Sequence, residues 1–435
     1  MARSRTIEVG YLARVEGESA LHLSVRGDRV DRAELRIFEP PRFFEALLRG
    51  RHYSEAPDIT SRICGICPVA YQMSAVHAME AALGVTAGGQ LRALRRLLYC
   101  GEWIESHTLH IYLLQAPDFL GAESAIELAR TERAAVERGL QLKKVGNEIL
   151  RVLGGREVHP INVKVGGFYR VPTPQELKPL AERLDWAEAA ARDTVSWVAG
   201  FDFPDLSRDY EFVALRHPSE YPMNEGQIVS SRGLDIAVAE YDQHFAEQHV
   251  PYTHALQSRL DGRSGYLAGP LARFALNFDR LPADVQQAAR AAGVGAICRN
   301  PYQGIIVRAL EVLYACIEAR RIIAAYERPA EPAVALPAPS ASVGHGATEA
   351  PRGLLYHRYE LDADGTIAAA NIVPPTAQNQ ASIEEDLREF AGSWLALPDA
   401  QLRLRCEAAI RNYDPCISCA THFLRLTVDR GAGDG

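Results

Sequence analysis

The chain has 435 residues, of which 47% are hydrophobic and 23% are charged, so it can build a sizeable core and is not a disordered, collagen-like or coiled-coil protein. Its 47 basic and 55 acidic residues leave a formal net charge of -8, and no dense run of Lys and Arg occurs, which excludes nucleic-acid and anionic-membrane partners. No stretch has the roughly 18 apolar residues of a spanning helix, and residues 1–11 lack the apolar stretch of a signal peptide, so we expect a cytoplasmic protein.

The elements predicted for the first three quarters of the chain begin with a small sheet. Apolar and polar residues alternate at 19–24 and 32–37, so residues 1–40 are expected to form a β cap. Apolar residues at helical spacing then dominate residues 41–327, the expected helical body. Long helices are predicted there at 92–114, 124–153, 173–200 and 301–326, the third of them opened by a capping box with proline at its first position.

The last quarter of the chain begins with a change of composition. Residues 328–350 are rich in Pro, Ala, Ser and Gly and have no period, so we expect a linker-like loop. In the C-terminal segment 351–435, strands are predicted at 354–361 and 366–372, and a helix from about Ser382. No internal repeat is present. The sequence therefore predicts one domain over 1–435, mainly α with small flanking β-sheets (α+β).

Four cysteines form two Cys-x-x-Cys pairs, Cys64 with Cys67 and Cys416 with Cys419. Soft thiolate ligands favour zinc, iron, nickel or copper over magnesium or calcium. The halves of a local zinc knuckle lie roughly 15 to 20 residues apart, so a site shared by these distant pairs has to be built by the fold. Spacing alone leaves a structural zinc, two unrelated redox dithiols and a catalytic metal open. The unpaired cysteines are interpreted as buried small apolar residues: Cys100, Cys298, Cys316 and Cys406.

The residues around both pairs resemble the two signatures of the nickel-iron hydrogenase large subunit. These are Arg-Ile-Cys-Gly-Ile-Cys-Pro at 62–68 and Asp-Pro-Cys-x-x-Cys-x-x-His at 414–422. The resemblance continues in the family's order through Arg14–Gly17, Phe44–Arg51, His159–Gly167 and Glu349–Gly353. Ala-Tyr-Gln after the first pair and the short length are similar to the cytoplasmic NAD(P)-linked bidirectional and sulfhydrogenase alpha-subunit branch. The resemblance implies a long-helix bundle and reversible heterolytic cleavage of dihydrogen.

The resemblance implies a nickel-iron centre held by the four paired cysteines. Cys64 and Cys416 would be terminal nickel ligands, and Cys67 and Cys419 would bridge nickel to an iron that carries carbon monoxide and cyanides. Bridging thiolates keep two soft metals close and leave an open position between them.

The resemblance also implies roles for four charged residues. Arg352, in Ala-Pro-Arg-Gly, is expected above the open position, with Asp118 and Asp414 orienting its guanidinium. Glu16, in Arg-Val-Glu-Gly, is expected to pass a proton to and from Cys416. Without the resemblance, the arginine is an ordinary surface charge, each aspartate a helix cap or turn acceptor, and the glutamate a solvated strand residue.

A second metal, magnesium or iron, is implied at Glu45, His422 and the backbone carbonyl of Ile372. Thr376, in Pro-Pro-Thr, matches the position whose hydroxyl hydrogen-bonds a cyanide. By themselves these side chains are typical of an exposed helix, a loop and a turn. The family commonly loses an extension after this histidine once nickel is in place, so residues 423–435 are predicted to be removed and the mature chain to end at His422.

Two histidines and one tyrosine complete the candidate residues. His107 and His110 share a helix face, and we interpret them as packing or hydrogen-bonding residues rather than metal ligands. Relatives of the uptake type often have a histidine four residues after the second cysteine of the first pair. This chain has Tyr71 there, so a hydrogen bond beside the ligands is expected to differ.

Electrons have to leave through partner subunits, because no cysteine pair remains for iron-sulfur clusters and no Gly-x-Gly-x-x-Gly fingerprint is present. The resemblance implies an iron-sulfur small subunit, FAD- and NAD(P)-binding subunits, a maturation protease and nickel-insertion factors. Two alternatives stay open: a quinone-reducing subunit of a respiratory-type complex, which shares ancestry with this family, and a non-catalytic protein with a tetrathiolate zinc site.

Overall fold

A computed structural model describes residues 4–263 and 265–422, in which long helices form the body and short antiparallel sheets lie around it. The helices are α1 Phe44–Leu48, α2 Ala56–Thr60, α3 Pro68–Leu83, α4 Gly89–Leu109, α5 Ala116–Leu120, α6 Ala125–Thr131, α7 Arg133–Gly154, α8 Pro174–Ala199, α9 Tyr241–His244, α10 Pro270–Asn277, α11 Ala283–Ala291, α12 Gly304–Ala324, α13 Pro375–Phe390, α14 Asp399–Arg411 and α15 Ile417–Ala420. The strands are β1 Ser4–Val9, β2 Ser19–Arg26, β3 Arg29–Ile37, β4 Val163–Lys164, β5 Gly167–Phe168, β6 Val213–Arg216, β7 Gln227–Ser230, β8 Asp235–Ile236, β9 Phe245–His249, β10 Leu256–Leu260, β11 Ser342–Ala350, β12 Gly353–Leu361 and β13 Ile367–Val373.

The helical body is built around α4, which packs against α7 and α12, while α8 packs against α12 and α7. Two glycines allow α4 and α7 to approach closely, since a Cβ on Gly146 would lie 2.6 Å from the carbonyl oxygen of Gly101. The capping box predicted at Thr173 is present and starts α8, so this helix prediction is confirmed. At its far end α4 continues as a π-helical turn, His110–Gln115, before α5 begins. None of the described helices is long and apolar enough to cross a membrane.

The described residues form three three-stranded sheets, two of which come from the two ends of the chain. The predicted N-terminal cap is the sheet β1-β2-β3, whose β2 and β3 pair with Leu21 opposite Leu35. The second sheet, β11-β12-β13, packs against α3 through β11. A Cβ on Gly344 would lie 1.9 Å from the carbonyl oxygen of Ala78 in α3, so glycine is required for this contact. The fold class predicted from the sequence, mainly α with small sheets, is confirmed.

Three predicted boundaries are wrong. The linker-like loop predicted at 328–350 ends at 341, because β11 pairs with β12 along its whole length. Small residues, which suggested a loop, serve there to bring β11 against α3. The helix predicted at 124–153 is interrupted at Glu132, whose backbone leaves the helical region (φ -118°, ψ 40°). The helix expected from about Ser382 begins at Pro375, where proline occupies the first helical position.

Candidate metal centre

The four paired cysteines meet at one buried point of the fold. Their sulfur atoms all lie within 4.8 Å of one another, and each cysteine is at most 2% exposed. The Sγ–Sγ distance is 3.5 Å between Cys64 and Cys416, 3.6 Å between Cys67 and Cys419, and 2.7 Å within the second pair. Four soft donors at this spacing fit thiolate-bound transition metals, and the buried setting excludes water from them.

Local backbone structure places the first pair. Cys67 is the N-cap of α3, so its sulfur lies at the positive end of a helix dipole. The hydrogen bond with Cys416 lowers the pKa of Cys67, but the hydrogen bonds with Cys419 and Cys64 and burial outweigh it, so the pKa of this thiol is raised. The amides of Ile66 and Cys67 donate to the sulfur of Cys64, at 3.3 and 3.4 Å. Hydrogen bonding with the Cys416 thiol lowers the pKa of Cys64, whereas burial raises the pKa of Cys416. Before metal binds, the four sulfurs therefore share protons unequally.

Glu102, which the sequence analysis did not single out, fixes the start of α3. It is fully buried on α4, and its carboxylate accepts hydrogen bonds from the amides of Val69 (2.6 Å) and Ala70 (3.2 Å). These are orphan donors of the first helical turn, so the contact holds the helix that follows directly after Cys67. No local motif in the sequence links residue 102 to this position, because the interaction joins two different helices.

Arg352 and Asp414 form a buried ion pair next to the cysteines. The guanidinium Nε donates to the backbone carbonyl of Asp414 at 2.8 Å and Nη2 donates to its carboxylate at 3.1 Å; both side chains are 3% exposed. Burial by itself would lower the pKa of Arg352, but Asp414 and the cysteine sulfurs raise it, so the guanidinium stays charged. Its buried Nη1 has no hydrogen-bond partner within the described residues.

Backbone strain and charge both single out Asp414. Its φ of 51° is in the left-handed region, which non-glycine residues rarely adopt. Burial would raise its pKa, but Arg352, His110 and Arg308 together lower it, so the carboxylate is ionised. The carboxylate of Asp414, two residues before Cys416, therefore accepts a hydrogen bond from Arg352.

Glu16 lies against the sulfur of Cys416, on a loop between β1 and β2. Its Oε2 is 3.1 Å from the sulfur and accepts the amide of Ser418 at 3.0 Å. A parallel β-bridge joins Glu16 to Cys416, and the amide of Ile417 donates to the Glu16 carbonyl. A carboxyl group that is partly exposed and touches the Cys416 sulfur is suitably placed to exchange protons with it.

The partner predicted for Asp118 is wrong. This carboxylate accepts Nε and Nη2 of Arg411 at 2.7 and 2.8 Å and pairs with Arg14 at 2.5 Å, and it makes no contact with Arg352 among the described residues. Asp118 lies on α5, which follows the π-helical turn, and its carboxylate meets Arg14 in the loop between β1 and β2. Arg411 lies three residues before Asp414, and the Nε2 atom of His110 is 2.8 Å from the Arg411 carbonyl and 3.9 Å from the Asp414 carboxylate.

Four further residues that the sequence singled out also have polar contacts in the structure: Thr376, Tyr71, His107 and His110. Thr376 accepts the amide of Cys416 at 2.9 Å, which leaves the hydroxyl proton of this threonine for another acceptor. Tyr71 donates to the carbonyl of Cys419 at 3.4 Å. His107 approaches Glu311 at 2.9 Å and His110 contacts the Arg411 carbonyl, so both serve packing and hydrogen bonding, as interpreted.

Glu45, Ile372 and His422 also come together. The Ile372 amide donates to Glu45 at 2.8 Å, and the two ring nitrogens of His422 lie 2.6 Å from the Ile372 carbonyl and 2.7 Å from that of Cys419. Burial lowers the pKa of His422 to about 4, so the ring is neutral and has one proton for two carbonyls. Residues 423–435, where the predicted cleavage falls, lie outside the described residues.

The unpaired cysteines are all buried, in agreement with their interpretation as small apolar residues. Burial raises the pKa of Cys316 and of Cys100. These thiols therefore stay protonated and carry no metal chemistry.

Comparisons with known proteins show which family contains this four-cysteine site. The family described as nickel-dependent hydrogenase matches residues 42–141 and 267–422, which include both cysteine pairs. Sulfhydrogenase 1 subunit alpha of Pyrococcus furiosus is 31% identical over 424 residues, covering 97% of this chain and 98% of that protein. The NAD-reducing hydrogenase HoxS subunit beta of Cupriavidus necator is 27% identical over 475 residues, covering 97% and 95%.

Solved structures agree. A crystal structure of an NAD+-reducing NiFe-hydrogenase in the H2-reduced state superposes with a TM-score of 0.86 at 26% identity, covering 97% of this chain and 100% of that chain. These matches favour a hydrogenase over the two alternatives that the sequence leaves open, a quinone-reducing subunit and a non-catalytic zinc protein. With more than half of its length matched by the family, the chain belongs to the nickel-dependent hydrogenases, as a catalytic large subunit that acts on dihydrogen.

Proposed function

We propose that the chain cleaves dihydrogen reversibly and heterolytically at a nickel-iron centre held by its four paired cysteines. The observation that carries this proposal is that four buried sulfurs converge, with the carboxylate of Glu16 against one of them and the charged guanidinium of Arg352 nearby. Cys64 and Cys416 would bind nickel terminally, and Cys67 and Cys419 would bridge it to iron. The centre, once bound, supplies two adjacent metals that polarise dihydrogen and accept its electrons.

Arg352 has the geometry of an electrostatic anchor over the centre. Two of its nitrogens are taken by Asp414, so the plane of the guanidinium is fixed, and the unpartnered Nη1 remains free to face the substrate. A fixed positive charge in a water-free site stabilises negative charge that develops during bond cleavage. The same cation offsets part of the charge of the thiolates.

Glu16 would take up the proton released by cleavage. Its carboxylate accepts a proton from the Cys416 sulfur across 3.1 Å, and it is itself oriented by the Ser418 amide. Because the side chain is partly exposed, the proton can leave from there towards solvent. Thr376 would donate its hydroxyl proton to a cyanide on iron, since the Cys416 amide occupies the acceptor side of the same hydroxyl.

The second metal, magnesium or iron, would lie between Glu45, the Ile372 carbonyl and His422. A neutral imidazole has one proton, yet both of its nitrogens face carbonyl oxygens, and a carboxylate oxygen of Glu45 lies 3.7 Å from Nε2. A cation among these lone pairs resolves the conflict, so the residues fit the ion. Its role would be to fasten the end of the described chain beside the metal centre.

Electrons would pass to an iron-sulfur small subunit and from there, through flavin, to NAD(P) in a cytoplasmic complex. The similarity to an NAD-reducing hydrogenase subunit supports this acceptor. Assembly would use nickel-insertion factors and a protease that removes the residues after His422.

Metal analysis combined with infrared spectroscopy of the purified complex tests the proposal. We expect nickel and iron together with carbonyl and cyanide bands. Cys419→Ser should lose both signals, whereas the control Cys406→Ser, at an equally buried but unpaired cysteine, should keep them. Zinc at the four thiolates without these bands would overturn the proposal.

A further inference from the structure

We propose that Asp118, Arg411 and Arg14 form a positioning clamp that holds Glu16 against Cys416. None of the three touches the cysteine sulfurs in the described structure, so they would act through the backbone of the loop that carries the glutamate. The inference rests on the proton-relay role proposed for Glu16 and adds the residues that set its geometry.

The clamp consists of one carboxylate between two guanidiniums. Asp118 receives two hydrogen bonds from Arg411, through Nε at 2.7 Å and Nη2 at 2.8 Å, and pairs with Nη2 of Arg14 at 2.5 Å. Arg411 is 1% exposed, Asp118 12% and Arg14 15%, so the pairs are largely shielded from solvent. A bidentate, shielded pair of this kind has a defined geometry, unlike an exposed one.

Both arginines also donate hydrogen bonds to backbone carbonyls, and these bonds connect the clamp to the loop that carries Glu16. Nη1 of Arg411 donates to the carbonyl of Ala13 at 2.9 Å, and Nη1 of Arg14 donates to the carbonyl of Leu114 in the π-helical turn at 2.7 Å. The loop is therefore tied at residues 13 and 14 to α14 on one side and to the turn before α5 on the other.

The clamp acts on the part of the loop that has no regular secondary structure. Residues 10–18 form no helix or strand, and Arg14 has a φ of 60°, in the left-handed region. On either side of the clamp, the Leu12 amide donates to the Ser19 carbonyl at 2.9 Å, and Glu16 is held by its bridge to Cys416 and by the Ser418 amide. If the clamp opens, residues 13 and 14 lose their ties to α14 and to the π-helical turn, and the 3.1 Å contact between the Glu16 carboxylate and the sulfur is held less firmly.

Asp118→Asn is the direct perturbation. It removes the carboxylate charge between the Arg14 and Arg411 guanidiniums, so their mutual repulsion is offset less, although Glu407 remains 3.2 Å from Arg411. Glu188→Gln is the matched control. Glu188 of α8 is also a partly buried carboxylate, 18% exposed, and it pairs with Arg192 of the same helix and with Arg320 of α12. Arg411→Lys is a second variant, which keeps the charge and loses the bidentate fork.

Amide hydrogen exchange of the full chain reads the clamp without bound metal. In Asp118→Asn and Arg411→Lys we expect residues 11–18 to exchange about tenfold faster or more, with residues 174–199 unchanged as a check of folding. Glu188→Gln should leave residues 11–18 at the wild-type rate. Wild-type exchange of residues 11–18 in both clamp variants would overturn the inference.

Hydrogen-deuterium exchange of the gas by the loaded enzyme, normalised to nickel content, tests the link to Glu16. We expect about a tenfold loss in Asp118→Asn, since small displacements of a proton-transfer group have effects of this order. Glu16→Gln should lose more, and the double variant should equal Glu16→Gln. Losses that multiply would mean that Asp118 acts independently and would overturn the inference. A wild-type rate in Glu16→Gln would instead remove the relay role, and the amide exchange would still decide on the clamp.

Discussion

Arg273 on α10 is the residue whose replacement we expect to be most damaging outside the four paired cysteines. It is fully buried and bridges Glu311 and Glu349 with N–O distances of 2.7 to 2.8 Å. The guanidinium also donates to the carbonyls of Ala350 and Pro351, at 2.9 and 3.2 Å, directly before Arg352. Arg273→Met keeps the approximate length of the side chain and removes all of these hydrogen bonds.

The magnitude follows from the carboxylates that remain. Glu311 and Glu349 are 1% and 0% exposed, and removing one partner of a buried pair costs about 3–5 kcal/mol. Burial already raises the pKa of Glu349 to about 7, so this residue can protonate, whereas Arg273 helps to lower the pKa of Glu311 to about 2. Most of the cost therefore comes from Glu311. Folding lowers the pKa of Glu311, so its ionised form contributes stability that is lost at low pH. The difference in unfolding free energy between the wild type and Arg273→Met should therefore narrow as the pH falls from about 4.5 towards 2.

Denaturant unfolding of the full chain measures this effect. Arg192→Met is the matched control, because Arg192 also bridges two carboxylates, Glu188 and Asp284, but is 40% exposed. We expect the control to cost at most about 1 kcal/mol, as for surface pairs. Equal losses of unfolding free energy in the two variants at pH 7 would refute the reasoning that the buried network anchors the segment before Arg352.

Three further predictions concern the site, a buried histidine and the sheet behind α3. Arg352→Lys should retain nickel and iron by metal analysis yet lose about 100-fold in turnover, because an ammonium cannot reproduce the planar fork; wild-type turnover would contradict this. Burial lowers the pKa of His110 to about 3 in the folded protein, below its value in the unfolded chain. The unfolded chain therefore takes up a proton first as the pH falls, and the folded protein loses stability relative to it. Between pH 7.5 and 5 the stability advantage of the wild type over His110→Gln should shrink by about 2 kcal/mol in denaturant titrations. Gly344→Ala should cost about 1–3 kcal/mol of unfolding free energy, since its Cβ would overlap Ala78, whereas Gly392→Ala, with open space around it, should be near neutral.

The parts of the fold that were predictable from the sequence are those with a strong local signal. The helix over Pro174–Ala199 has a capping box at its start and a clear apolar period, and both signals act within a few residues. Strand β11 has no such signal: Gly344 and Gly346 have the composition of a loop, and their function is to let the strand approach α3. That contact joins segments more than 260 residues apart, so composition alone misidentifies it.

The candidate site divides in the same way. The four cysteines could be found because each pair lies within a recognisable motif, although 352 residues separate the two. The partner of Asp118 could not, because a carboxylate carries no local mark of which arginine it meets, and the fold brings Arg411 to it across 293 residues. Arg273 and Glu102 are isolated charged residues in the sequence, and only their burial between helices reveals what they hold.

Charge balance explains why metal binding and the fold of this site depend on each other. Four thiolates in one buried site would concentrate four negative charges, and the nearby cation, Arg352, is largely neutralised by Asp414. Burial accordingly raises the pKa of Cys416 and Cys419, so without metal these sulfurs are thiols. The positive charge that holds four thiolates together must come from the metals, and their binding must release protons. Glu16, partly exposed and in contact with Cys416, lies where those protons can leave, at the same point at which protons would pass during turnover.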